Sequence, residues 1–228
     1  MKLFESLSIV IPVRNGLRFI DRCLGSVISE TPGAEVVIVE NGSNDLLGRD
    51  WIGNGEIEIK YHNLEMGNKS LARNLGAEEA SREFVTFLDQ DDEILGNISK
   101  AIQILNSEPV DAVISTQSFA EEESDIPPYL VKARNSGAPL YHPMTFVTRP
   151  IEFFDVGGFD STLHLAEDFD LVARFRQNKK VALMPLPTLL RHFHESNDSR
   201  DIGGAQSELF SVIRKSAHHI NRNGEPKA

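Results

Sequence analysis

The segment Phe84-Val85-Thr86-Phe87-Leu88, four of its five residues strongly apolar, runs straight into Asp89-Gln90-Asp91-Asp92. Such a run predicts a strand buried on both faces, as in a parallel sheet covered by helices. Open α/β sheets bind their ligands at the carboxyl ends of the strands, which is where these three carboxylates emerge. At an effective dielectric of about 20, two carboxylates about 4 Å apart repel by roughly 4 kcal/mol, so the cluster invites a counter-cation. Aspartate oxygens are hard ligands suited to Mg²⁺ or Mn²⁺, ions that commonly bridge to substrate phosphates. A nucleoside diphosphate is the first ligand this junction implies.

The rest of the chain sets that strand among others. Leu7–Ile11 predicts a first strand, and Leu17–Glu30 a helix with Leu17, Ile20, Leu24, Val27 and Ile28 inward. Glu35–Val39 reads as a second strand, Ile57–Tyr61 as a more exposed third, and Ser70–Ala80 as a helix with Leu71 and Leu75 inward. After Phe84–Leu88 come a helix over Asn97–Asn106 and a strand over Ala112–Ser115. Alternating strands and helices indicate βαβ units and a mostly parallel α/β sheet. From Gln117 to Pro139 no periodicity is visible, so this stretch predicts a long functional or mobile loop. Beyond it the pattern predicts a strand over Met144–Thr148 and helices over Pro150–Val156 and Ala166–Gln177. Two strands, Val181–Leu183 and Leu189–Phe193, are expected on either side of Pro185 and Pro187, and a last helix over Gly204–Asn221.

Composition narrows the partners. The 228 residues fit one domain, 1–228, and 40% hydrophobic content supplies a sizeable core. A formal net charge of −11 argues against a broad basic face for nucleic acid or anionic lipid. The single cysteine, Cys23, makes no internal disulfide and fits a reducing compartment. No apolar run reaches the length of a membrane span and no signal-peptide pattern opens the chain, so a cytoplasmic location is expected. A membrane-borne substrate remains compatible with that, through peripheral contact.

Six motifs occur in order: Ser8-Ile9-Val10-Ile11-Pro12-Val13-Arg14-Asn15, Val37-Ile38-Val39-Glu40-Asn41-Gly42-Ser43-Asn44-Asp45, Ala72-Arg73-Asn74-Leu75-Gly76, Phe87-Leu88-Asp89-Gln90-Asp91-Asp92, Gly157-Gly158-Phe159-Asp160, and Ala166-Glu167-Asp168-Phe169-Asp170-Leu171 with Arg174. Together they resemble glycosyltransferase family 2, whose fold is GT-A, and the similarity spans roughly Ser8–Ser199. The resemblance implies a nucleotide-binding half over about 1–115 and an acceptor half over about 140–200; the remainder, 201–228, is expected to be a C-terminal helix from its own pattern.

The resemblance also implies roles. Pro12, Val13 and Arg14 would border the base, with Glu40 accepting from it. Arg73 would meet the ribose or diphosphate, Asp89 the ribose, and Asp91 and Asp92 the cation, Mn²⁺ or Mg²⁺. Asp168 would be the general base of an inverting transfer, with Glu167 and Arg191 on the acceptor side. Arg191-His192-Phe193-His194 resembles the late Arg–His motif, in which His194 would contact metal or phosphate. The implied donor is a nucleotide sugar, a UDP-sugar first, and the implied acceptor a glycan or lipid-linked hydroxyl. Many relatives carry an aromatic residue where Arg14 stands and Asp where Glu40 stands. A nucleotidyltransferase is the competing enzyme class, but Pro12-Val13-Arg14-Asn15-Gly16 is a poor substitute for its Gly-rich loop. A non-catalytic sugar-nucleotide or glycan binder shares the fold expectation.

Overall fold

The computed structural model describes residues 3–45, 57–65, 67–120, 126–137, 139–195, 204 and 206–214. In chain order its elements begin β1 (Leu7–Val13), α1 (Ile20–Glu30), β2 (Glu35–Asn41), β3 (Glu58–Leu64), α2 (Lys69–Glu79), β4 (Phe84–Phe87), β5 (Glu93–Ile94) and α3 (Ile98–Ser107). There follow β6 (Ala112–Phe119), α4 (Pro128–Asn135), β7 (Tyr141–Thr148), α5 (Pro150–Asp155), α6 (Glu167–Asn178) and β8 (Val181–Arg191).

The strands form one eight-stranded sheet in the order β3-β2-β1-β4-β7-β6-β8-β5. β1 lies parallel between β2 and β4, and β3 adds a parallel outer strand. β7 joins antiparallel between β4 and β6, β8 runs parallel to β6, and β5 pairs antiparallel with β8. Side chains alternate across a strand. Leu7, Ile9, Ile11 and Val13 therefore meet α1 and α3 in one core, while Val10 meets α2, α5 and α6 in another. Burial on both faces explains the unbroken apolar runs of β1, β2 and β4. This is the GT-A α/β arrangement, a mostly parallel sheet flanked by helices.

The structure departs from the sequence expectations where no buried face exists to set a period. Gln117, Ser118 and Phe119 extend β6, and 128–135 form α4, inside the stretch expected to be a loop. α4 buries none of its residues, so it carries no apolar stripe to read. Residues 121–125 and 138 lie outside the described residues. Val181–Arg191 is a single strand despite Pro185 and Pro187, because its pairing with β6 shifts register around Thr116, opposite Pro187. Proline is tolerated at such irregularities. β5, only two residues long, had no sequence signature.

Leu17 and Leu71, expected to face inward, are exposed. In α2 the buried positions are Ser70, Ala72, Arg73, Gly76 and Ala77, and the reason is proximity. A Cβ added at Gly76 would lie 2.2 Å from Val10 Cγ1, so the helix sits directly on β1. Gly76→Ala is expected to destabilise the fold by about 1–3 kcal/mol through overpacking, read as a lower urea midpoint. An unchanged midpoint would show that the helix has room to shift. The sequence puts Leu209, Ile213 and Ile220 on one face of the last helix; Leu209 packs inward, but Val212 is buried and Ile213 exposed, and Ile220 lies outside the described residues.

Candidate active site

The carboxyl ends of β1, β2 and β4 come together because their registers align. Val13 stands opposite Glu40, and Leu88 N–H donates to the Val10 carbonyl at 2.9 Å as the chain leaves β4. The loops that follow are tied to one another. Arg14 N–H donates to Gln90 Oε1 at 2.7 Å and Gln90 Nε2 returns a bond to the Arg14 carbonyl at 3.0 Å. Asn15, at φ 50°, donates its N–H to Ser43 Oγ at 2.9 Å and accepts from Asn44 N–H at 2.8 Å. The Asn-Gly segments after β1 and β2 are thus turns that lock two strand ends side by side.

Beside this rim lies a cavity of about 1030 Å³. Pro12, Arg14, Arg73, Asp89, Asp91 and Asp92 line it from the first half of the chain. Glu167, Asp168, Arg191 and His194 line it from the second. Val13 and Glu40 do not reach the lining. Val13 is core, and Glu40 is fully buried with its carboxylate accepting from Ser43 Oγ and from Tyr61 Oη at 3.2 Å. Asn41, the next residue, faces the cavity.

Arg73 joins the two halves. Its side chain is 3% exposed and donates through Nη2 to Asp89 Oδ1 at 2.5 Å and through Nη1 to Glu167 Oε1 at 2.8 Å. Lys69 Nζ stands 3.0 Å from the same Glu167 oxygen. Arg73 Nε and Glu167 Oε2 are buried without a hydrogen-bond partner among the described residues. Buried polar atoms normally find partners, so these mark a joint built to meet a ligand or ordered water. Burial opposes ionisation of Asp89, but the Arg73 charge and hydrogen bond outweigh it and hold that carboxyl below its ordinary range. Asp89 keeps 36% of its side chain open, so solvent tempers both effects.

Asp91 and Asp92 respond the other way. Burial and neighbouring carboxylates, Asp89 for the first and Asp91 then Asp89 for the second, push both carboxyls above the ordinary range. Asp91 Oδ2 lies 2.8 Å from His194 Nε2, and Asp92 Oδ1 accepts from His192 N–H at 2.9 Å. The His194 ring stacks on Phe19, centroids 4.6 Å apart, and the Arg18 guanidinium lies 4.3 Å from the centre of the Phe19 ring. Among the described residues no group of three or more His, Cys, Asp and Glu side chains is already gathered around a metal position. The donor chemistry nevertheless fits a divalent cation. Crowded, reluctantly ionised carboxylates beside an imidazole gain from a positive charge, and phosphate oxygens complete such a shell.

Asp168 stands in the first turn of α6, where its Oδ1 accepts Phe169 N–H at 2.7 Å. Burial, then repulsion from Glu167, raises its pKa to about 6. The neighbouring acids therefore differ in environment. Glu167 is held by two cations, and Asp168 by one backbone N–H among the described residues.

Two further motifs have structural explanations. Gly157 and Gly158 adopt φ 92° and 64°, conformations that favour glycine. They turn the chain so that Asn74 Oδ1 accepts Phe159 N–H at 2.8 Å while Asn74 Nδ2 donates to the Phe159 carbonyl at 2.9 Å. Arg174 donates to Asp170 at 2.7 Å and to the Val156 carbonyl at 2.5 Å, bracing the same turn.

Sequence reasoning gave no role of their own to Phe19, Gln90, Lys69 or His142. His142 lines the cavity and receives Arg191 Nη1 at 3.2 Å on Nε2. Burial, then the Arg191 charge, lowers its pKa to about 3, so the imidazole is neutral. No spacing in the sequence announces these residues; contacts across many tens of positions do.

Comparison with known proteins gives the family and the fold. The profile of glycosyl transferase family 2 matches residues 8–164. A pre-mycofactocin glycosyltransferase of Mycobacterium tuberculosis is 28% identical over 193 residues, covering 75% of this chain and 39% of that protein. Glycosyltransferase GlyA of Streptococcus pneumoniae is 31% identical over 128 residues, covering 54% of this chain and 18% of its own length. The chain thus spans less than half the length of these curated relatives. Among solved structures, S. aureus TarS 1-349 in complex with UDP-GlcNAc superposes with a TM-score of 0.74 at 20% identity, covering 94% of this chain and 66% of that one. With the family profile covering most of its length and the strand-end cavity in place, the chain belongs to glycosyltransferase family 2.

Proposed function

We propose that the protein is an inverting glycosyltransferase that moves a sugar from a UDP-sugar to a hydroxyl of a glycan or lipid-linked acceptor, as in the growth of a surface polysaccharide. The observation that carries this reading is the shared cavity: the Asp89–Asp92 cluster and Asp168 line one space. The relatives support the donor class, since TarS has been crystallised with UDP-GlcNAc and with UDP.

In this reading the acceptor oxygen attacks the anomeric carbon from the face opposite the leaving group. Its proton passes to Asp168, the carbon–oxygen bond to the diphosphate breaks, and UDP leaves with the electron pair. A single displacement inverts the anomeric configuration. Asp91, Asp92 and His194 would hold Mn²⁺ or Mg²⁺, which when bound neutralises charge on the diphosphate. Arg73 fixes Asp89 towards the ribose side, and Arg191, oriented by neutral His142, faces the same cavity. Pro12, Arg14 and Asn41 border the place of the base. The lone cysteine, Cys23, is buried and free, which suits the cytoplasm.

A thermal-shift series with UDP and Mn²⁺, alone and together, tests the site, and UDP release from UDP-glucose, UDP-galactose, UDP-N-acetylglucosamine and GDP-mannose tests the activity. At 100 times its dissociation constant a ligand adds about 2.7 kcal/mol, so the mixture is expected to raise Tm well beyond either component. Turnover is expected with one of the UDP-sugars. The same Tm with and without Mn²⁺ would remove the cation from the site. Binding without turnover of any donor would make the protein a binder.

A further inference from the structure

The helical segment 206–214 lies against the start of α6. Leu209 and Val212 pack on Leu163 and Ala166, and Gln206 and Leu209 reach the cavity lining. From the same segment, Glu208 turns its carboxylate onto three consecutive backbone N–H groups. Its Oε2 accepts from His164 at 3.0 Å, from Leu165 at 2.8 Å and from Ala166 at 3.1 Å. α6 lacks a side-chain cap of its own: Ala166 occupies the N-cap, and Glu167, Asp168 and Asp170 crowd the first turn. Helix starts leave N–H groups unpaired and favour a negative charge. Here that charge comes from an acid some forty residues downstream.

We propose that Glu208 is a positioning residue for the transfer reaction: by fixing the 164–166 backbone it holds Asp168, two residues on, in reacting geometry. The inference rests on the reading of Asp168 as the base. Three N–H bonds to one carboxylate are charge-assisted, and against the opposing effect of burial they lower the Glu208 pKa. His164 also faces Glu208, while Glu167, Arg73 and Lys69 are the charges around Asp168. Without Glu208 the start of α6 is free to move outward, and Asp168 gains solvent.

The test compares Glu208→Ala and Glu208→Gln with wild type in two assays. One is UDP release from whichever UDP-sugar of the panel is turned over fastest; the other is backbone hydrogen exchange without substrate. In Glu208→Ala, kcat is expected to fall about 10–100-fold, the scale of a 1 Å misplacement, with UDP affinity unchanged. Glu208→Gln, which keeps one oxygen acceptor, should fall between. The acid limb of the rate profile should move from about pH 6 towards the ordinary carboxylate range as Asp168 becomes solvated. Amides 164–166 should lose protection. Lost protection with an unmoved acid limb and unchanged kcat would reduce Glu208 to a structural cap and overturn the proposal. Full activity of Asp168→Asn would overturn the base assignment instead, and unchanged protection of 164–166 would overturn the contact whatever the activity.

Discussion

Asp168→Asn is expected to lower UDP release about 10²–10⁴-fold while leaving the Tm gain from UDP and Mn²⁺ in place. The amide keeps the size of the side chain and loses its ability to take a proton. Because the Asp168 carboxyl is raised to about 6, it is mainly ionised only above that pH, so if it is the base the wild-type rate should fall as pH drops through about 6. The stability consequence has the opposite sense. A carboxyl whose folded pKa exceeds its unfolded value of 3.8 binds more protons in the folded state between the two. Stability is therefore lost as pH rises from 3.8 to about 6, and the cost persists above it. Asp168→Asn should thus melt higher than wild type at pH 7.5, with the gap closing near pH 4. A variant that is inactive and also less stable at pH 7.5 would mean that Asp168 serves the fold rather than the reaction. Full activity would remove it from the chemistry.

Arg73→Met carries the second large effect, on stability. It removes the charge shared by Asp89 and Glu167 while roughly keeping the volume against Phe159, whose ring centre lies 5.3 Å from the guanidinium carbon. Asp89 then loses its hydrogen-bonded cation and Glu167 keeps only Lys69. Breaking a buried pair by deleting one partner costs about 3–5 kcal/mol, a large fraction of the stability of a typical domain. Urea denaturation at pH 7.5 reads this directly. Without Arg73, Asp89 loses the charge that holds its carboxyl low and takes a proton more readily, so the deficit should shrink as pH falls through the carboxylate range. A loss under about 1 kcal/mol would show the triad to be solvated like a surface pair.

How much of this was legible beforehand depends on what each segment buries. β1, β2 and β4 are covered on both faces, so their apolar runs mark them unambiguously, and the acids after β4 follow from the same reading. α1 and α3 carry their apolar stripe against the first core and were visible for that reason. The placement of β7 between β4 and β6 was not visible, because antiparallel insertion depends on pairing between distant segments rather than on local pattern. α4 has no buried face, and α2 packs mainly through Gly76 and Ala77, so the leucine pattern located its inner face only in part: Leu75 packs on the second core and Leu71 is exposed. At the site, the residues named from motifs reach the cavity except Val13 and Glu40, whose side chains are buried beneath the rim. Phe19, His142 and Glu208 act through partners remote in sequence, and such contacts leave no periodic trace.

The sharing of one guanidinium between Asp89 and Glu167 bears on the order in which the fold is completed. A nascent chain that has synthesised α2 and β4 but not yet α6 holds only one of the two counter-charges that Arg73 needs. The Asp89 wall of the cavity is therefore completed only when α6 folds against α2.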